Sequence, residues 1–598
     1  MRDQQLVTLA SLLRSCSRRL LAPFACLLLV LPLNANADAL SGIVQLAQKG
    51  ATELALQQLD SQQPNPLSDA EGWLRWERQR IALYQQAKQW QSLITRINEK
   101  KGFIDLAYQE WFIAQQAEAM LALGQGRQAR AIYRQLIWKR DTALDAQTLE
   151  MWRSHIVRSY LLDNKANDAH AAMLRNGQDY PSDNSESAVL LRARVLLLAD
   201  RADDAAELLR HSKTTNAKTL YLLAALRSAR MPATKIVKKI NKQLKKKKLV
   251  KQNRLRLLAI KAEASKVEAD KVQTAVATEN YLRLSRKEQL DDGLFHVTGD
   301  QLWQAYRAYA QLVGNKQQLL LGDDASWFAE AAKRPKQTLR QRSIYALLAL
   351  ESRLAVTRDK ANELLINSLQ KKDGGIEVIR HLYLNSKEQL PALASYNLLE
   401  QALKESDIKL ASQLMQGLQQ APSGVNPLLW ELRRARVFVM AGKPDDATIV
   451  LNEMVAKQDF TEKNFLDRFM QVVFDLQTIE AHEQAYLLFE SLLAKVELPK
   501  ITRELYYWMA ESRKAQKRYA DAAALYLKSS ESKILPQPDL WAQSAMYQAA
   551  QALADAGLVD DAGRLYKKLL RITKDEARRG QLQRRLQQLW LKRGKTPA

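Results

Sequence analysis

Two acidic pairs are the side chains whose type and spacing come nearest to chemistry. Asp323 and Asp324 follow Gly322, and Asp291 and Asp292 stand shortly before His296. Paired carboxylates hold a divalent cation or pass a proton when a third acid or an imidazole completes the set. The 323–324 pair has no such companion. It reads instead as a helix start, with Asp324 as the capping residue and Trp327 turned inward, and the 291–292 pair reads the same way. The six histidines (155, 170, 211, 296, 381 and 482) are scattered, and none has the H-E-x-x-H spacing of a zinc helix. No glycine-rich phosphate loop and no G-x-S-x-G elbow is present. The sequence therefore predicts no catalytic residue, no metal and no cofactor.

Charge is the stronger signal. Lys and Arg number 90 against 65 Asp and Glu, a formal net charge of +25. The run KIVKKINKQLKKKKLVKQNRLR (235–256) has eleven basic residues and no acidic one. Ile236, Val237, Ile240 and Leu244 recur at helical spacing, which predicts an amphipathic helix with a lysine-rich outer face. Lys238, Lys239, Lys242, Lys245, Lys246, Lys247 and Lys248 are its candidate contacts to an anionic surface.

The elements that must carry these residues are helices. Gly (20) and Pro (15) are scarce for 598 residues, and no stretch alternates apolar and polar residues as a sheet would. Residues 1–37 read as an export leader. Arg14, Arg18 and Arg19 precede the short apolar core LLAPFACLLLVLPL, and Ala35-Asn36-Ala37 fits peptidase cleavage after Ala37. Both cysteines, Cys16 and Cys26, fall inside it, so the mature chain would have neither disulfide nor thiolate. No later segment has 18 uninterrupted apolar residues. A periplasmic location follows as the expectation, with phospholipid, cell-wall carboxylate (peptidoglycan) or acidic protein as anionic company and nucleic acid set aside.

One sentence of the chain is written twice. RARVLLLADRADDAAELL (192–209) returns as RARVFVMAGKPDDATIVL (434–451), with nine of eighteen positions identical. Each copy is an apolar helix with a small residue, a short polar turn, then a second helix in which Ala and a large apolar residue stand four apart on one face. The same pair recurs at Ala55/Leu59, Leu93/Ile97, Ala129/Tyr133, Ala169/Met173 and Ala205/Leu209. It returns at Ala361/Leu365, Ala411/Met415, Ala447/Leu451, Ala485/Phe489, Ala522/Tyr526 and Ala562/Tyr566. From 55 to 205 and from 411 to 562 every step is 36 to 40 residues. A hairpin of that size cannot bury its own apolar face, so neighbours must stack.

The spacing Tyr519-Ala522-Tyr526, with Ala510 before it, resembles the tetratricopeptide repeat, and the chain resembles the irregular helical arrays of bacterial envelope proteins, including the helical ring of soluble lytic transglycosylases. The resemblance implies an all-α, right-handed superhelical solenoid. The expected organisation is a repeat region over 38–230, a divergent middle with a basic helix over 231–360, and a second repeat region over 361–598. Glu511-Ser512 is similar to the Glu-Ser pair of lytic transglycosylases, but the glycine-rich segment of that family does not follow, so transglycosylase activity is not expected. In such repeats the residue after the small one faces the groove. That register places Arg158, Arg194 and Arg436 there, with Lys514 one turn further along its helix. The resulting expectation is a non-enzymatic scaffold that binds an envelope protein, peptide or anionic polymer. An accessory module of a cell-wall enzyme and a tether to an anionic membrane are the alternatives.

Overall fold

The computed structural model describes residues 35–104, 106–139, 145–179, 185–246, 248–285, 290, 293–384, 390–531 and 539–593. Most of the leader, with both cysteines, lies outside them. Among the described residues there are thirty α-helices and no strand, and no helix is long and apolar enough to cross a membrane. The chain divides between Ala224 and Ala225 into two compact units.

One turn explains the period. In ten hairpins the first helix ends on a residue of positive φ: Gly50, Lys88, Gly124, Asn164 and Asp200 in the first unit, and Ser406, Gly442, Glu480, Lys517 and Gly557 in the second. The next backbone N–H reaches back to the carbonyl five residues earlier, as Lys443 N does to Phe438 O at 2.9 Å and Arg518 N to Arg513 O at 2.9 Å. This is the Schellman closure, which satisfies a carbonyl the helix end would leave bare. Five residues past each positive-φ residue stands the anchor of the second helix. All ten (Ala55, Leu93, Ala129, Ala169, Ala205, Ala411, Ala447, Ala485, Ala522 and Ala562) are fully buried. The large residues four further on pack beside them, with Tyr526, Phe489 and Leu451 completely covered.

Six of the ten turns use a side chain other than glycine in the left-handed region, which is why glycine is scarce. A Cβ there costs energy that the turn's hydrogen bonds and the buried anchor offset.

The stretch between the two clear runs is also helical. The helix Ala233–Leu244 packs on Lys251–Val267. Three hairpins follow: Lys251–Val267 with Lys271–Ser285, Gly299–Gln317 with Asp324–Ala332, and Thr338–Glu351 with Ala355–Gln370. The first two keep the closing bond, from Asp270 N to Ser265 O and from Leu319 N to Gly314 O, both 2.9 Å. The third turns through extended backbone at Ser352 instead.

Charge is built into this part of the core. Glu279 is almost fully buried and accepts from Tyr306 Oη at 2.6 Å, from Arg283 Nη2 at 2.7 Å and from Arg342 Nη2 at 2.9 Å. Burial works against its charge, but Arg342, Arg283 and the Tyr306 hydroxyl outweigh it and hold the carboxyl below the usual range. Three helices are thus fastened to one carboxylate. In the first unit Glu77 plays the same part, gripped by Arg96 at 2.8 and 2.9 Å and by Gln63 at 2.9 Å.

Two outcomes follow for the second unit. Lys517→Gly and Glu480→Gly should each raise its stability by about 0.5–1 kcal/mol, since glycine removes the left-handed Cβ penalty and returns only part of it as chain entropy. Glu279→Gln strands the buried Arg342 guanidinium and should cost about 3–5 kcal/mol. Denaturant midpoints measure both.

Candidate binding surface

The lysine run folds in two pieces. The helix Ala233–Leu244 buries Ala233, Ile236 and Ile240 and turns Lys235, Lys238, Lys239 and Lys242 outward. It stops at Leu244, so Lys245, Lys246 and Lys248 stand exposed in the connection rather than on the helix, and Lys247 lies outside the described residues. The expectation of one continuous basic helix is corrected here. A continued helix would set Lys242 against Lys245 and Lys246, like charges three and four residues apart, and Val250 leaves helical backbone (φ −59°, ψ 137°) before a second helix starts at Lys251. None of the seven described lysines from 235 to 248 makes an ion pair or side-chain hydrogen bond with a described residue.

The residues placed by the groove register behave differently. Arg158, Arg194 and Arg436 each stand six residues before a positive-φ residue, Asn164, Asp200 and Gly442, so the turns make them equivalent. Arg158 is exposed. Arg194 is half-buried and already engaged. Arg436 is paired with Asp475 at 3.0 Å, and Lys514 donates to Gln548 at 3.0 Å. The same position in the other hairpins holds Val44, Ala82, Glu118, Glu400, Phe474, Glu511 and Gln551. The series is mixed in charge. Glu400 itself binds Arg433 at 2.7 Å.

The candidate acids have structural duties. Asp323, one residue before the one expected, caps the helix Asp324–Ala332 by accepting from Ser326 N at 3.2 Å. Asp324 accepts from Ser352 Oγ at 2.5 Å, and Trp327 is buried as expected. The cap moves because Asp323 has the non-helical backbone that lets its carboxylate turn back onto the first turn. Glu511 accepts from the buried Tyr526 hydroxyl at 2.6 Å, and burial with that carboxylate pushes the phenol far up. Asp291 and Asp292 lie outside the described residues. No group of three or more potential metal ligands occurs among the described residues.

Sequence reasoning missed His155. Its Nδ1 lies 2.8 Å from the Tyr133 hydroxyl, and Tyr133 is the large apolar partner of the Ala129 anchor. Burial, and then the Arg158 charge, lowers the imidazole to about 4. Its signal was the Arg three residues downstream on the same helix.

No family model and no curated protein matches the chain. Solved structures do match it over most of its length. The Cut9–Hcn1 hetero-tetramer of APC/C is 14% identical over 93% of this chain and 95% of that one, with a TM-score of 0.27. Yeast Tom70 is 11% identical over 82% and 97%, with a TM-score of 0.20. The pentatricopeptide repeat protein PPR10 from maize is 11% identical over 91% and 74%, with a TM-score of 0.27. The assignment of this chain to stacked helical hairpins stands on its own turns and anchors.

His155 gives the first unit a pH response. The folded imidazole titrates near 4 and the unfolded one near 6.5. The folded state thus binds fewer protons, and stability is complete above pH 6.5. As pH falls towards 4, roughly 3 kcal/mol should be lost from this group. His155→Asn should flatten that part of the profile, measured as urea midpoint against pH.

Proposed function

We propose that this protein is a non-enzymatic helical-repeat scaffold of the bacterial periplasm that docks through the lysine face at 235–248 onto an anionic partner surface. The observation that carries the reading is the contrast in charge pairing. Arg436 and Lys514 are already engaged by Asp475 and Gln548. The lysines at 235, 238, 239, 242, 245, 246 and 248 have no such partner among the described residues. Exposed unpaired cations on one face attract a polyanion at long range and are screened by salt.

The leader at 1–37 supports export. Outside the cytoplasm the anions within reach are lipid head groups, cell-wall carboxylates and acidic proteins. Of these the cell-wall polymer suits a rigid stack best, because a lysine row meets its repeated carboxylates without any fitted pocket. The non-enzymatic part is supported by the candidate acids, since Asp323, Asp324 and Glu511 each serve a cap, a serine or a buried tyrosine.

The test is sedimentation with purified peptidoglycan over a salt series, beside crosslinking in intact cells and mass spectrometry. The parent chain should co-sediment at low salt and be released as salt rises. Replacing Lys238, Lys239 and Lys242 with Gln should weaken retention roughly hundredfold, at about 1 kcal/mol for each cation. Equal retention of parent and variant would contradict the reading. So would a crosslinked protein partner lost on Arg194→Glu or Arg436→Glu, which would place recognition on the hairpin groove instead.

A further inference from the structure

First helices of neighbouring hairpins differ in how closely they approach: Pro427–Met440 packs on Lys463–Thr478, whereas Lys463–Thr478 and Pro499–Ala515 do not pack in that way. Among the described residues the corresponding pair in the middle, Lys251–Val267 and Gly299–Gln317, has no such packing. A cavity of ≈ 410 Å³ lies there instead. Ala259 and Ala262 line it from one helix and Ala305 and Ala308 from the other. Small residues normally let two helices close up. Here they leave room.

The non-helical segment 293–298 is fixed across this space at both ends. Arg227 binds Glu263 at 2.9 and 3.2 Å and also donates to the Leu294 carbonyl at 3.1 Å, which anchors the buried Leu294. At the far end Thr298 and Gln301 cap the helix Gly299–Gln317 reciprocally. Gly299 lies so close to the His381 carbonyl that a Cβ would sit 1.8 Å from it. Phe295 and Val297 from this segment add apolar lining.

Two polar features of the cavity have no protein partner. Lys266 and Lys271, on either side of the turn between Lys251–Val267 and Lys271–Ser285, both line it, and neither makes an ion pair or hydrogen bond with a described residue. Thr278 also lines it and is only 3% exposed, yet its hydroxyl has no hydrogen-bond partner among the described residues. Lys271 and Thr278 are seven residues apart on one helix, so they share a face about 10 Å apart along the axis.

We propose that this cavity binds a small amphipathic carboxylate. Its anionic end meets Lys266 and Lys271, its apolar body lies along the alanines and Phe295, and a hydrogen-bonding group about 10 Å further on meets Thr278. The volume falls in the range of small-ligand sites, roughly 300–1,000 Å³, which are mostly apolar with a few placed polar groups. The cavity shares no lining residue with the lysine face at 235–248, and the proposal stands whether or not that face binds cell wall.

Calorimetric titration of the purified full chain tests it with three probes. 10-Hydroxydecanoate carries a carboxylate and a distant hydroxyl on a lipid-type chain. Decanoate lacks the hydroxyl, and N-acetyl-Leu-Ala-Val carries a carboxylate and distant carbonyls on a peptide frame. Saturable binding of the hydroxy acid or the tripeptide is expected, about tenfold tighter than decanoate. Thr278→Val should remove that advantage and leave decanoate binding unchanged. Replacing Lys266 and Lys271 together with Gln should weaken all three. Both variants alter a partner-free side chain, so their unfolding midpoints should match the parent. Which of the two favoured probes binds tighter assigns the lipid-derived or the peptide source. The proposal is overturned if no probe saturates, or if binding is indifferent to Thr278→Val and to loss of the two lysines.

Discussion

The left-handed turn that closes each hairpin is the constraint on which the rest of this fold depends. It fixes where the first helix stops, and a fixed count of five residues then sets a small anchor against the neighbouring helix. A hairpin so closed has one apolar face too large to leave wet, and only another hairpin covers it. The anchors explain why the faces come so close. Nine of the ten are alanine, and a larger side chain would force the helices apart. Stability is therefore spread over many similar interfaces.

Charge is distributed on the opposite plan. Inside the units two buried acids are held by charge, Glu279 and Glu77, where burial is opposed by converging guanidinium groups. Such clusters give little net stability but penalise any arrangement that separates their members. Outside, the described lysines at 235–248 form no ion pair with a described residue. A chain that gathers guanidinium groups around its buried acids and leaves this row unpaired presents an electrostatic surface with one evident direction of attraction. That asymmetry is the physical basis for the docking role proposed above.

Much of the architecture was legible in the sequence, because the anchor step of 36 to 40 residues is the turn-to-turn distance seen in three dimensions. The middle was less legible for a definite reason. Five residues past Ala269 stands Thr274, and five past Gln318 stands Asp323, so the Ala signal fails although both turns retain their closing bond. Gly293 and Gly299 read as punctuation, and the second proves to be needed for close approach to a carbonyl 82 residues away in sequence. The cavity was not legible at all, since its lining is assembled from four helices and the connection at 294–297. The groove register predicted from resemblance places Arg158, Arg194 and Arg436 equivalently, but sequence could not say that Asp475 would already hold Arg436.

Site-resolved hydrogen exchange of the second unit tests the central claim most directly. The amides of Lys443, Ala481, Arg518 and Leu558 donate the closing bonds of four successive turns. They should exchange as slowly as amides in the adjoining helix interiors, repeating at the spacing of the hairpins. Exchange at the rate of an open loop at those four positions would show that the turns do not close in this way, and the register built on them would fall.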